Sequence, residues 1–196
     1  MDLPHDFQEC VRFHGHLCPG LAIGYAAVKA GIERLNPRPS PDEEVVAVVE
    51  NDSCAVDAVQ VLLGCTFGKG NLVFRDWGKQ VFTFFDRDGR RAVRVSFVGE
   101  VPGREQRHLL RQKIDSGLAT DEDHEAWERL RFDVTREIIT RPWSDFFEVR
   151  EVHVDPPPKA SVVQTVACEI CGEAVAEHRL APRKDKRVCR DCAGER

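Results

Sequence analysis

The sequence has no run of about 18 apolar residues, so no stretch of it reads as a membrane-spanning helix. Its opening residues, Met1 to Asp6, lack the basic and apolar regions of a secretory signal. These two absences predict a cytoplasmic protein with no membrane contact, in a compartment where thiols stay reduced. Internal repeats and low-complexity tracts are also missing, which excludes a repeat array. Positive charge is scarce in the larger part of the chain. Residues 1–158 carry 20 basic and 27 acidic side chains, a balance of −7; from Lys159 onward there are 8 and 6, or +2. Phosphate backbones are gripped by Lys and Arg, so the body is not expected to bind nucleic acid, and only the tail leaves that open.

What is present is an ordinary globular composition, 42% hydrophobic and 31% charged, with eight cysteines. In a reducing compartment, clustered cysteines favour metal binding or catalysis over disulfides. They fall into two groups of four, separated by a proline run at Asp155–Lys159 that neither a helix nor a central strand can cross. The expected organisation is a body over residues 1–155, a proline-rich linker over 156–166 and a module over 167–196. The last piece is too short to build its own apolar core, so metal would have to replace one.

Within the body, helices are predicted at about 4–13, 19–35, 52–63, 103–116 and 121–140. Pro19 suits a first helical position, Asp52 or Ser53 a cap, Gly64 a helix end and Thr120 a second cap. The β-branched run Glu44–Glu50 reads as a buried strand. Asn71–Asp76, Gln80–Phe85 and Ala92–Val98 read as further strands, joined by antiparallel turns at Asp76–Lys79 and Asp86–Gly89. A last strand is predicted at Phe147–Val154. The fold class is therefore α+β, helices packed on a mainly antiparallel sheet, with a small C-terminal module of zinc-ribbon or treble-clef type.

In that module Cys168-x-x-Cys171 and Cys189-x-x-Cys192 stand seventeen residues apart. Each pair offers two sulfurs on a tight turn, and four thiolates at about 2.3 Å complete a tetrahedral zinc site. No coordination position stays open, so this zinc is expected to be structural. Ala174–Leu180 and Arg187–Cys189 are the predicted strands, around a turn at 183–186.

The first group carries the candidate chemistry. His14, His16 and Cys18 alternate, and in an extended segment alternate residues share a face. Cys18 precedes a helix, whose positive end stabilises a thiolate. Cys54 likewise falls at a helix start, and with Asp57 and Gln60 forms a polar stripe on an otherwise apolar helix. Such a stripe is costly unless it is hydrogen-bonded or lines a polar cavity. Hence His16, Cys18 and Cys54 are predicted to share one pocket, with His14 or Cys65 as a further ligand and Asp57 orienting a ligand histidine. Imidazole and thiolate suit a second transition metal, and a reactive-thiol site stays open as the alternative. Cys10 reads as a small apolar core residue. The glycine-rich stretch Gly64–Asn71 fails as a phosphate loop, because its glycines are one residue too close and Gly70 stands where Ser or Thr should hold Mg²⁺. Thr66 and Lys69 remain candidates for binding a cofactor or an anionic substrate group, and Cys54, Asp57 and Lys69 for catalysis.

Phe13–Ala22, Glu50–Gly64 and Gly64–Leu72, taken together, resemble the FmdE family, named after a component of molybdenum formylmethanofuran dehydrogenase. The likeness spans roughly residues 5–155, and Cys168–Cys192 resembles the zinc finger that many members carry. It implies an α+β core, a homodimer, and a metal or thiol site carried on His14, His16, Cys18, Cys54, Asp57, Cys65 and Lys69. Three functions are expected in this order. The first is a metal-binding accessory of a molybdenum oxidoreductase; the second, a metal- or thiol-dependent enzyme acting on a small anion; the third, a zinc-finger regulator.

Overall fold

The computed structural model describes residues 3–36, 42–88 and 90–195. Gly89 of the second expected turn and the chain ends Met1, Asp2 and Arg196 lie outside them. The chain divides into two compact units, Met1–Lys159 and Ala160–Arg196.

The first unit is α+β, as the pattern of elements predicts. Helices α1 (His5–His14) and α2 (Pro19–Leu35) precede β1 (Val45–Val49), and α3 (Ala55–Leu63) separates it from β2 (Leu72–Phe74). Then come β3 (Val81–Asp86), β4 (Arg91–Phe97), α4 (Arg104–Asp115), α5 (Asp121–Thr140) and β5 (Phe147–Val152). The five strands form one sheet in the order β2-β1-β3-β4-β5, and every pair but β1–β2 is antiparallel.

That exception corrects the expected meander. Asp76–Lys79 does not close a hairpin: β2 lies parallel to β1, and β3 pairs with the other edge of β1. A parallel pair needs a crossover of a dozen or more residues, and α3 supplies it. The apolar pattern of β2 is the same for either partner, so the sequence did not separate them.

Strand alternation divides the sheet's two faces. Val45, Ala47 and Val49 point into the main core with Phe82 and Phe84, whereas Val46 and Val48 join Phe85 and Ala92 on the opposite face. Helix α2 is buried nearly all round, because the sheet and the other helices enclose it. Gly24 is what lets α3 come so close: a Cβ there would stand 2.1 Å from the Ala55 carbonyl oxygen. That contact fixes where α3 starts relative to α2, and so where Cys54 stands. Helix α5 opens with a capping box between Thr120 and Asp123, buries Val134, Thr135 and Ile138, and packs on α2 and α4.

Residues 153–164 form no regular element. The second unit contains two short hairpins, β6 (Thr165–Ala167) with β7 (Ala174–Ala176) and β8 (Ala181–Arg183) with β9 (Lys186–Val188), followed by α6 (Arg190–Ala193). The expected strand Ala174–Leu180 ends at Ala176 and gives way to a single turn at Glu177–Arg179, and the last cysteine pair rides on a helix start. Each pair of sulfurs needs its own tight turn, and one long hairpin would not present both.

Candidate metal centre

Helix α1 ends on His14, and Gly15 reverses the chain in the left-handed region at φ 89°, its N–H bonded to the Val11 carbonyl at 2.9 Å. Cys18 then caps α2 in an extended conformation, its sulfur accepting the Leu21 N–H at 3.4 Å, with Pro19 opening the helix. His14, His16 and Cys18 thus meet across a helix–turn–helix link, not along an extended segment as expected.

Their ligand atoms lie within 4.8 Å of one another. His14 is the best defined: its Nδ1 is 2.7 Å from Asp57 Oδ2 and its Nε2 is 3.6 Å from Cys18 Sγ. The Gln60 amide donates to the other Asp57 oxygen at 3.1 Å, so the polar stripe of α3 serves to hold one imidazole. A carboxylate at Nδ1 fixes the proton there and leaves Nε2 as a lone-pair donor. A tetrahedral ion with nitrogen at ~2.05 Å and sulfur at ~2.3 Å sets those two ligands about 3.6 Å apart, which the observed spacing matches. His16 stacks with His14, ring centroids 4.4 Å apart. Burial, with His14 and Arg131 nearby, holds its pKa below the usual histidine value, in favour of the neutral form that ligates metal.

Cys54 does not belong to that tight group but stands beside it. A Cβ added to Gly20 would lie 3.7 Å from Cys54 Sγ and 3.9 Å from Cys18 Sγ, so the two thiols flank one glycine. Burial and then the Cys18 thiol raise the Cys54 pKa, which keeps it protonated unless a cation is present. His16, Cys18 and Cys54 line one open cleft of about 830 Å³.

Other candidates lie elsewhere. Cys65 is fully buried, its thiol directed at the Val45 carbonyl at 3.6 Å, and it is not among the grouped ligands. Lys69 and Thr66 do not line the cleft either. Lys69 Nζ donates to the Asp42 carbonyl at 3.4 Å and Thr66 accepts the Lys69 N–H at 3.3 Å, bonds that shape their own loop. Cys10 is buried, as a core residue should be.

The positive charge expected of Lys69 comes instead from α4 and α5. Arg104, Arg107, Arg111 and Arg131 line the cleft, with His108 and Trp127. Arg131 donates to the Leu17 carbonyl at 2.7 Å, tying α5 to the link that carries the histidines. Sequence reasoning missed this wall. The signal was Arg104, Arg107 and Arg111 at spacings of three and four, one face of a helix.

In the second unit, Cys168, Cys171, Cys189 and Cys192 also lie within 4.8 Å of one another. The Cys189 N–H donates to Cys168 Sγ at 3.3 Å and the Cys192 N–H to Cys189 Sγ at 3.4 Å. Backbone N–H groups of Cys171 and Cys189 pull the Cys168 thiol down to about 6, ready to bind metal as thiolate. Four sulfurs so placed suit a closed, structural zinc site.

Two groups of side chains of metal-ligating type, one in an α+β body and one in a small cysteine module, define the class. The family described as "FmdE, Molybdenum formylmethanofuran dehydrogenase operon" matches residues 13–148, and the chain belongs to it. A probable S-adenosyl-L-methionine-binding protein of Archaeoglobus fulgidus is 32% identical over 196 residues, covering 93% of this chain and 51% of that protein. The chain thus spans about half the length of this curated relative. A crystal structure of a tungsten formylmethanofuran dehydrogenase FmdE-like protein from Syntrophus aciditrophicus matches with a TM-score of 0.63 and 26% identity, covering 95% of this chain and 89% of that one. Among the described residues, no helix is long and apolar enough to cross a membrane.

Proposed function

We propose that this chain is a metal-binding accessory protein of a molybdenum-dependent oxidoreductase, acting as a cytoplasmic homodimer. Its body holds a transition-metal ion on His14 and Cys18, completed by His16 or Cys54, and its tail holds a structural zinc. The observation that carries this reading is His14 itself, clamped at Nδ1 by Asp57 with Nε2 at ligand spacing from Cys18. The accessory role is supported by the family's description, which places its members in a formylmethanofuran dehydrogenase operon. An ion held there would supply Lewis-acid chemistry to whatever enters the cleft. The chain's own part is to orient the imidazole through Asp57, to keep His16 neutral and to hold α5 over the site through Arg131.

Metal analysis of protein purified without added metal tests the reading. Two ions per chain are expected in the wild type, one in His14→Ala and one in Cys171→Ser. A single ion in the wild type, untouched by His14→Ala, overturns the body site. Gel filtration with the purified catalytic components of the dehydrogenase tests the accessory role, and separate elution at micromolar concentration counts against it.

The Archaeoglobus relative prompts a second reading, S-adenosyl-L-methionine binding. Its sulfonium cation would meet four guanidinium groups in this cleft, so like charge opposes it there. Equilibrium dialysis with S-adenosyl-L-methionine decides: saturable binding removed by Cys54→Ser would favour this second reading.

A further inference from the structure

Most arginines on the outer faces of α5 and the segment after it are neutralised locally. Arg129 pairs with Glu125, Arg136 with Asp133, and Arg141 with Glu137 and Asp145. Of the cleft arginines, Arg111 pairs with Asp115 and Arg131 with Glu128, but the other two differ. Among the described residues Arg104 and Arg107 form no ion pair, and the Arg107 Nε is buried with no hydrogen-bond partner. A buried donor left unpaired is costly, and more so on a charged group. Arg107 lines the same cleft as Cys18. No carboxylate is among the residues lining the cleft. This concentration of cations stands in a body whose balance is −7. Arg104 and Arg107 therefore line the cleft with no counter-ion from their own chain among the described residues.

We propose that the cleft walled by Arg104, Arg107, Arg111 and Arg131 binds a small organic dianion, carrying phosphate or two carboxylates, and presents it to the His14–Cys18 centre. The guanidinium forks match the planar oxygen pairs of such groups. Pro19 and Gly20, at the positive N-terminus of α2, line the same cleft and add to the field. Trp127 gives an apolar wall for the organic part. At about 830 Å³ the cleft has the size of a small-molecule site. A nucleic-acid strand would need a basic track extending well beyond the cleft, and the body's balance of −7 opposes one. The assignment of the dianion as that centre's substrate rests on the proposed metal site; anion binding itself does not.

Isothermal titration of the full chain at low salt with glycerol 2-phosphate and with succinate tests the proposal, with glycerol as the uncharged control. One saturating site per chain is expected for at least one dianion, and which of the two binds separates phosphate from carboxylate. Arg107→Met, and separately Arg104→Ala with Arg111→Ala, should weaken binding at least tenfold, while Arg129→Ala and Arg136→Ala should not change it. Thermal melts confirm that each variant is folded, and the double variant alters only exposed side chains. Absence of saturation with either dianion overturns the proposal. So does equal weakening by Arg129→Ala with Arg136→Ala, which would mark nonspecific charge attraction. Failure of the metal reading shows separately, as one ion per chain in the wild type with the titration unaffected.

Discussion

His14 Nδ1 and Asp57 Oδ2 lie 2.7 Å apart although 43 residues separate them in the chain, and this bond joins α1 to α3 at the candidate centre. Asp57→Asn keeps the shape but removes the acceptor charge that fixes the imidazole. Losing such an orienting partner typically costs about 10- to 100-fold in metal affinity. Chelator competition on Asp57→Asn should show that loss for the body ion and none for the tail ion. Equal affinities would mean that Asp57 does not orient a ligand.

In the second unit only Cys168 and Val188 are buried hydrophobic residues among those described, so the module has almost no core of its own. Metal should carry its folding free energy. In His14→Ala, which lacks the body ion, chelation is expected to make four further thiols reactive towards a disulfide reagent and to open residues 160–195 to protease, while the body melts as before. Protection that persists after complete metal removal would contradict this.

Gly24→Ala sets two effects of opposite sign against each other. Alanine is the better helix former by about 1 kcal/mol. The added methyl, however, would stand 2.1 Å from a backbone oxygen of Ala55, and only movement of α3 relieves that. Overpacking of this kind costs about 1–3 kcal/mol or more, so the clash wins. A lower melting temperature is expected, together with weaker binding of the body ion, because Cys54 moves with α3. An unchanged melt would show that α2 and α3 separate without cost.

Burial pushes the Cys65 thiol from 9.0 to about 12 and the Cys10 thiol from 9.0 to about 11. Both folded values lie above the unfolded one, so above pH 9 unfolding releases protons. Stability is complete below pH 9 and falls through the window up to about 11 for Cys10 and about 12 for Cys65. The slope is at most about 1.4 kcal/mol per pH unit for each group. Denaturant titrations from pH 8 to 10.5 should show the fall, shallower in Cys10→Ala with Cys65→Ala. Identical slopes in the variant would assign the effect to other groups.

Glu50 is 1% exposed, at the end of β1, and both its oxygens accept from the Arg94 guanidinium, at 3.0 Å for the Nη2–Oε2 bond. Arg94→Met strands a buried carboxylate, which costs about 3–5 kcal/mol. Glu50→Gln with Arg94→Met should recover much of the loss in urea unfolding. A double variant no more stable than Arg94→Met would show that the carboxylate was not the source of the cost.

The element pattern was legible because each segment carries its own signals: Pro19 at a helix start, the β-branched Val45–Val49, Thr120 with Asp123 at α5. Pairing was less so. Leu72–Phe74 reads as a strand from its residues, but whether it meets β3 or β1 depends on how α3 packs. At the site, the Cys18 cap was read from Pro19 and the helix that follows. The reach of Arg131 across 114 residues to the Leu17 carbonyl has no local trace.

By itself the sequence determined the helices and strands, the four-cysteine spacing of the tail and the donor types His14, His16, Cys18 and Cys54. Propensity, capping and ligand spacing act within a few residues, and one chain displays them directly. Only the tertiary structure decided that Asp57 clamps His14, that Cys65 and Lys69 stand apart, and that the arginines of α4 and α5 wall the cleft. Those relations come from packing α2 against α3 and α5, and packing joins residues that have no neighbourhood in sequence.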